Sequence, residues 1–361
     1  MRSLPALRRS LLAWYRRHQR ALPWRASRDP YRIWVSEVML QQTTVAAVQP
    51  YYEAFLARFP DVRALATARV EDLLALWSGL GYYRRARHLH AAARAIVERH
   101  AGRFPRELAQ ALALPGVGPY TARAVLSIAY GVAEPVVDGN VRRVLARLLL
   151  LRGRAWRDER AFHAPAAELL AKRSPGDWNQ AVMELGATVC APRAPACPAC
   201  PWRRSCAARA QGLQEQLPER KPRSAPRDVA VAAALVERAG RVLLVRRDDQ
   251  VAVLGGFWEL PQAGFESQGA VDLAAELRQR LGLRVRPGAR LASASHAITC
   301  RRIRAVVCSA RLTGPLPRST DRFRWASPSD LAELPLTTLT RKLLLAARNG
   351  RQRALVFPEE G

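Results

Sequence analysis

Leu114-Pro115-Gly116-Val117-Gly118-Pro119-Tyr120-Thr121 decides the fold of this 361-residue chain. Two glycines flank one valine, and apolar segments of helical period lie on both sides, the second at 121–130. Glycine takes backbone angles closed to other residues and lets another chain approach closely. The helix that follows begins with unpaired N–H groups, which suit an anion. A tight Gly-x-Gly turn between two helices therefore reads as a hairpin that grips phosphate through Gly116, Val117 and Gly118. About twenty residues on, Asp138-Gly139-Asn140 places an aspartate where the next helix is capped.

Working outward, Asp29-Pro30-Tyr31 reads as a helix start, with Asp as cap and Pro in the first turn. That helix carries Ile33, Trp34, Val35, Val38, Met39 and Leu40 around one acid, Glu37. Apolar surroundings raise a carboxyl pKa, so Glu37 is expected to stay protonated near neutrality, as a general acid must. Gln41-Gln42-Thr43-Thr44 closes the helix. Further helices are expected at 51–59, 70–77, 84–99, 108–112, 141–151, 162–170 and 178–189, with the first at 1–20. In the glycine turn at 79–83, Tyr82 is placed to wedge between bases.

The all-helical unit ends in Cys190-x6-Cys197-x2-Cys200-x5-Cys206. Four cysteines among prolines and arginines form a metal loop rather than a core. Zinc and an iron–sulfur cluster both remain open on this spacing. Residues 213–228 form a proline-containing linker. Residues 229–361 then read as a smaller α+β domain, with strands at 229–237, 241–246 and 298–307 and helices at 271–280 and 340–348. Cys300 and Cys308 are expected as core thiols.

The charge is +28, with 58 basic residues against 30 acidic, and only Lys172, Lys221 and Lys342 are lysines. An arginine excess of this size points to a polyanion partner. No apolar run is long enough to span a bilayer, so no membrane partner is expected. A bacterial cytoplasmic, nucleoid-associated location is expected.

Together, Trp34-Val35-Ser36-Glu37-Val38-Met39-Leu40-Gln41-Gln42-Thr43, the hairpin at 114–118, Asp138-Gly139-Asn140 and the four cysteines resemble the MutY adenine DNA glycosylases of the helix–hairpin–helix superfamily. Gly255-Gly256-Phe257-Trp258-Glu259-Leu260-Pro261 resembles a Nudix domain, although arginine stands in the helix at 271–280 where magnesium-binding carboxylates belong. The resemblance implies a helical glycosylase domain at 1–212 and a Nudix-like lesion-recognition domain at 229–361. It implies a 4Fe–4S cluster on Cys190, Cys197, Cys200 and Cys206. The partner would be double-stranded DNA with adenine opposite 8-oxoguanine or guanine, and the chain would act as a monomer.

The same resemblance makes Glu37 the acid that protonates adenine and Asp138 the ionised group that stabilises an oxocarbenium-like sugar, supported by Tyr120 and Asn140. Trp24, Arg25 and Gln180 fall at adenine-pocket positions, and Gln42 and Tyr82 at positions that fill the opened stack. Where the family often carries Phe-Ser-His on a lesion-reading loop, this chain is read as Ala294-Ser295-His296. A lyase like endonuclease III is disfavoured because Tyr120 stands where its lysine would. The second domain disfavours a thymine glycosylase.

Overall fold

The computed structural model describes residues 3–152, 159–219, 225–248, 251, 254–264, 271–298, 300–315 and 317–356. The chain separates into two compact units, 1–70 with 85–222, and 71–84 with 223–361. The expected linker lies partly outside the described residues, and what is described of it ends as the first strand begins at Arg227.

The helices before residue 220 are α1 (Leu4–His18), α2 (Pro30–Leu40), α3 (Val45–Arg58), α4 (Val62–Thr67), α5 (Val70–Leu76), α6 (Arg84–Arg99), α7 (Leu108–Leu112), α8 (Pro119–Tyr130), α9 (Gly139–Leu148), α10 (His163–Leu169), α11 (Pro175–Thr188) and α12 (Ala207–Ala210). α2 starts as its sequence dictates: the Asp29 carboxylate accepts from the Tyr31 amide at 2.8 Å. The apolar stripes of α1, α9, α10 and α11 meet in one core around Leu11, Val144, Phe162 and Trp178. Trp202, from the cysteine loop, enters that core and donates its indole N–H to the Leu7 carbonyl (3.0 Å).

The second unit has two sheets. One runs β5 (Gln262–Ala263), β1 (Arg227–Leu235), β7 (Arg301–Leu312), β6 (Val285–Ile298). In the other, β3 (Arg241–Arg246) lies between β2 (Glu237–Arg238) and β4 (Trp258–Glu259) and also pairs with β8 (Phe323–Ala326). Alternate residues of β1 and β3 feed opposite cores, because successive side chains in a strand point to opposite faces. Val231, Ala233 and Leu244 join Leu339 and Leu343 of α15 (Thr338–Val356). Ala234, Leu243 and Val245 join Leu273 and Leu277 of α13 (Leu273–Leu281). A short α14 (Pro328–Glu333) precedes α15.

β6 corrects the sequence reading. Ala294, Ser295 and His296 lie within a strand rather than on a loop, and the hairpin turns between Ile298 and Arg301. The segment is built from small residues, which supply little strand signal. Cys300 is exposed at that turn and Cys308 is half-buried, so neither is the core thiol expected. No helix among the described residues is long and apolar enough to cross a membrane.

Candidate active site

A cavity of about 640 Å³ opens in the helical unit. Its wall includes Trp24, Arg25, Glu37, Gln42, Gly116, Gly118, Tyr120, Asp138, Asn140 and Gln180, residues from across the first 180 positions. Glu37 is 6% exposed on the inner turn of α2. Burial pushes its carboxyl up to about 7, against the opposing pull of a 2.5 Å hydrogen bond donated by the Tyr120 hydroxyl. Nearby Asp138 adds to the rise.

Asp138 caps α9. Its Oδ1 accepts from the Val141 amide at 2.6 Å and its Oδ2 from the Asn140 side chain at 3.0 Å. Burial raises its pKa, and these two donors, with the charge of Arg143, act against that rise. Arg143 holds Asn140 in turn, at 2.8 Å, and also donates to the carbonyls of Gly186 and Cys190. The two carboxyls thus share one cavity with different partners: among the described residues Glu37 has one neutral donor, with the charge of Arg25 acting from further off, and Asp138 has an amide, an amide side chain and the charge of Arg143.

Glu184, which the sequence reading missed, forms the far wall. Arg20 and Arg25 each approach its carboxylate to 2.8 Å. Burial would push Glu184 up, yet these two guanidinium groups hold it down to about 2. Arg25 is thereby fixed beside Trp24. Gln180 reaches the cavity from α11.

The hairpin divides its tasks. Gly116 has φ +71°, and a Cβ there would lie 2.4 Å from that of His88, so both its angle and its space demand glycine. Gly118 has an ordinary extended φ of −85° with open space beside it, contrary to the expectation of unusual angles at both glycines. Val117 is buried, and its amide donates to the Leu114 carbonyl at 3.1 Å, closing the turn. Of the three expected phosphate-gripping amides, those of Gly116 and Gly118 are left unbonded among the described residues.

Three other expected site residues belong to the second compact unit. Tyr82 is 46% exposed at φ +50° and belongs to the second compact unit. Ser295 pairs with exposed Arg304 across the β6–β7 ladder, while His296 pairs with buried Ile303. Directly paired residues share a face, so Ser295 points outward and His296 toward the core side, where burial and Lys342 lower its pKa. The two therefore stand on opposite faces of β6 rather than together on a loop.

In the second unit a cavity of about 520 Å³ is lined by Arg246, Arg247, Glu259 and Arg280, among others. Both Glu259 oxygens accept from Arg247, at 2.9 and 3.0 Å, and one accepts from Gln262 at 2.7 Å.

Cys190, Cys197, Cys200 and Cys206 line one small cavity of about 30 Å³ with Arg147, and all four are free thiols. Burial pushes Cys200 up to about 12. Among the described residues no three metal-binding side chains converge on a single ion position.

The HhH-GPD superfamily of base excision DNA repair proteins matches residues 35–169, and the NUDIX domain matches residues 231–346. The human adenine DNA glycosylase is 37% identical over 338 residues, 76% of this chain and 60% of that protein. The rat adenine DNA glycosylase is 35% identical over 399 residues, 94% of this chain and 77% of that protein. This chain thus spans between about three fifths and three quarters of those relatives' length. A thermostable thymine-DNA glycosylase structure is 28% identical with TM-score 0.54, covering 58% of this chain and 97% of that one. An endonuclease III solved in a complex with DNA shares the fold of the helical unit, at 24% identity and TM-score 0.51 over 59% of this chain and all of that one. With both unit types matched in order and the rat relative aligned along 94% of this chain and 77% of its own length, this chain belongs to the adenine DNA glycosylase family.

Proposed function

We propose that this chain excises adenine from double-stranded DNA where it stands opposite 8-oxoguanine or guanine. The observation that carries the reading is the pairing of Glu37, protonated up to about pH 7, with Asp138 across one cavity. A base must leave the stack to be reached, and the cavity has room for a flipped purine. Glu37 donates its proton to the adenine ring nitrogen N7, and the electrons of the N-glycosidic bond leave with the base. Asp138, as the ionised carboxylate, offsets the positive charge that develops on the sugar, its donors opposing the rise that burial causes. Tyr120 keeps the Glu37 proton aimed, and Asn140 orients Asp138. Trp24, Arg25 and Gln180 contact the base. Gln42 and Tyr82 fill the vacated stack, and the free amides of Gly116 and Gly118 hold a phosphate. No lysine lines the cavity, which favours hydrolysis over a Schiff-base lyase step.

The four cysteines fit a 4Fe–4S cluster better than zinc. All four thiols line one small cavity. Zinc sites usually show two tight Cys pairs, whereas here only the middle pair, Cys197 and Cys200, is tight, and iron–sulfur clusters are held by four thiolates with less regular spacing. Bound there, the cluster would tie Cys190 at the end of α11 to the loop cysteines, beside Arg147 of α9, which donates to Cys190 Sγ and the Ala191 carbonyl. Recognition of the lesion is assigned to the second unit, with Ser295 and His296 as the residues that read it.

Single-turnover cleavage of duplexes carrying A:8-oxoguanine, A:G, G:T or A:T, read after alkaline strand scission, tests the reading. Release of adenine from the first two alone is expected. Thymine release from G:T would favour the second reading, which the likeness to the thymine-DNA glycosylase supports.

A further inference from the structure

A helix leaves its last carbonyls without partners inside itself. At the end of α2 one side chain collects them. Arg85, half-buried on α6, donates through Nη1 to the carbonyls of Val38 (2.9 Å), Met39 (2.8 Å) and Gln41 (2.5 Å). Its Nη2 donates to Oγ1 of Thr43 at 3.2 Å. The two nitrogens of one rigid plane therefore span the last turn of α2 and the residues beyond it.

That turn is unusual. Gln42 has φ +57°, in the left-handed region that a side chain adopts only when its surroundings impose it. No glycine relieves the chain here. Gln42 is exposed at the rim of the cavity, and Glu37 lies one helical turn earlier on the same α2. On the other side, the Gln41 side chain donates to Thr121 Oγ1 at 3.1 Å, and Thr121 follows Tyr120, which bonds Glu37. The end of α2 is thus held by α6 on one side and α8 on the other. With Nη1 shared among three carbonyls, Arg85 is turned inward as a bracket, not outward as a phosphate contact.

We propose that Arg85 is a positioning residue that fixes, in one bracket, both the helix end that sets Glu37 and the left-handed turn that presents Gln42. The inference rests on the excision reading given above. Arg85 touches no reacting atom. It makes the opening of the stack and the delivery of the proton depend on the same short stretch of backbone. A lysine keeps the charge but carries its donors on one nitrogen, so it lacks the rigid fork by which Nη1 meets the carbonyls while Nη2 meets Thr43.

The test uses the full chain with Arg85→Lys, Gln42→Ala and the double variant. Three quantities are read: the thermal melt, single-turnover release of adenine opposite 8-oxoguanine, and fluorescence of 2-aminopurine placed at the adenine position, which rises on unstacking. Folded Arg85→Lys should lose on the order of a hundredfold in excision, as small misplacements at reacting centres do. Its fluorescence rise should fall with it. In the double variant the losses should combine to much less than their product, since both act through one turn. Wild-type excision and fluorescence in folded Arg85→Lys would overturn the proposal, as would losses that multiply in full. If Arg85→Lys does not fold, Thr43→Val, which removes only the Nη2 partner, decides. It should lower both readings together by severalfold, and unchanged values would overturn the bracket. A wild-type chain that leaves adenine in place defeats the excision reading instead, and the fluorescence arm then judges the bracket alone.

Discussion

The cavity of the helical unit and the arginine-bordered cavity of the second unit each bury a glutamate to nearly the same depth, Glu37 at 6% and Glu259 at 7% exposure. Burial raises the pKa of both. Their partners differ. Among the described residues Glu37 receives one hydrogen bond, from a neutral phenol, which leaves it able to hold and release a proton. Glu259 accepts twice from Arg247 and once from Gln262, which commits it to an ion pair. Depth alone therefore does not mark a reactive acid. The chemistry of the neighbours does.

The largest effect that could break this contrast comes from exchanging each acid for its amide. Glu37→Gln should lower single-turnover adenine release by about 10²–10⁴, the usual worth of a positioned proton donor, with little change in the thermal melt. Glu259→Gln should do the reverse. It breaks the buried Arg247–Glu259 ion pair, a change worth about 3–5 kcal/mol, while the folded fraction excises at the wild-type rate. A Glu259→Gln protein that melts normally but excises poorly would erase the distinction.

A smaller effect sharpens it. The proton on Glu37 is lost as pH rises through about 7, so the excision rate should fall on that side, approaching tenfold per pH unit well above it. The sign for stability is the same. The folded chain keeps a proton that an unfolded glutamate gives up near 4.5, so this group makes folding less favourable as pH climbs from about 4.5 to about 7. Rate profiles of wild type and Glu259→Gln should share the same alkaline limb. A limb displaced in Glu259→Gln would mean that the two regions are not independent.

The smallest effect concerns the hairpin. Gly116→Ala meets both a left-handed angle and His88, and should cost about 1–3 kcal/mol. Gly118→Ala enters open space and should move stability by less than about 0.5 kcal/mol. Chemical denaturation of both variants measures the gap, and equal losses would contradict the division of tasks between the two glycines.

Much of this was legible in the sequence where the signal is local. The helix at Arg84–Arg99, the Asp29 and Asp138 caps, and an acid inside an apolar helix each follow from residues a few positions apart. What escaped depends on distant partners. Glu184 looks like an ordinary helical glutamate until Arg20 and Arg25 arrive from 164 and 159 residues away. Arg85 likewise gains meaning only against carbonyls more than forty positions earlier. Ser295 and His296 were misplaced for the opposite reason. They are neighbours in sequence, and adjacency in a strand puts side chains on opposite faces.

The bond from Trp202 to Leu7 spans 195 residues, and it sets a clock on synthesis. A ribosome adding roughly 5–20 residues per second needs on the order of 10 to 40 s to travel that distance. Over that interval the wall that buries Leu7, Leu11, Trp14 and Tyr15 is incomplete, because it draws on residues from Val137 to Trp202. The helix α1 is thus among the last to find its final place. The nascent protein carries an apolar stripe that is only partly covered until its cysteine loop is made, which gives chaperones a defined interval in which to act.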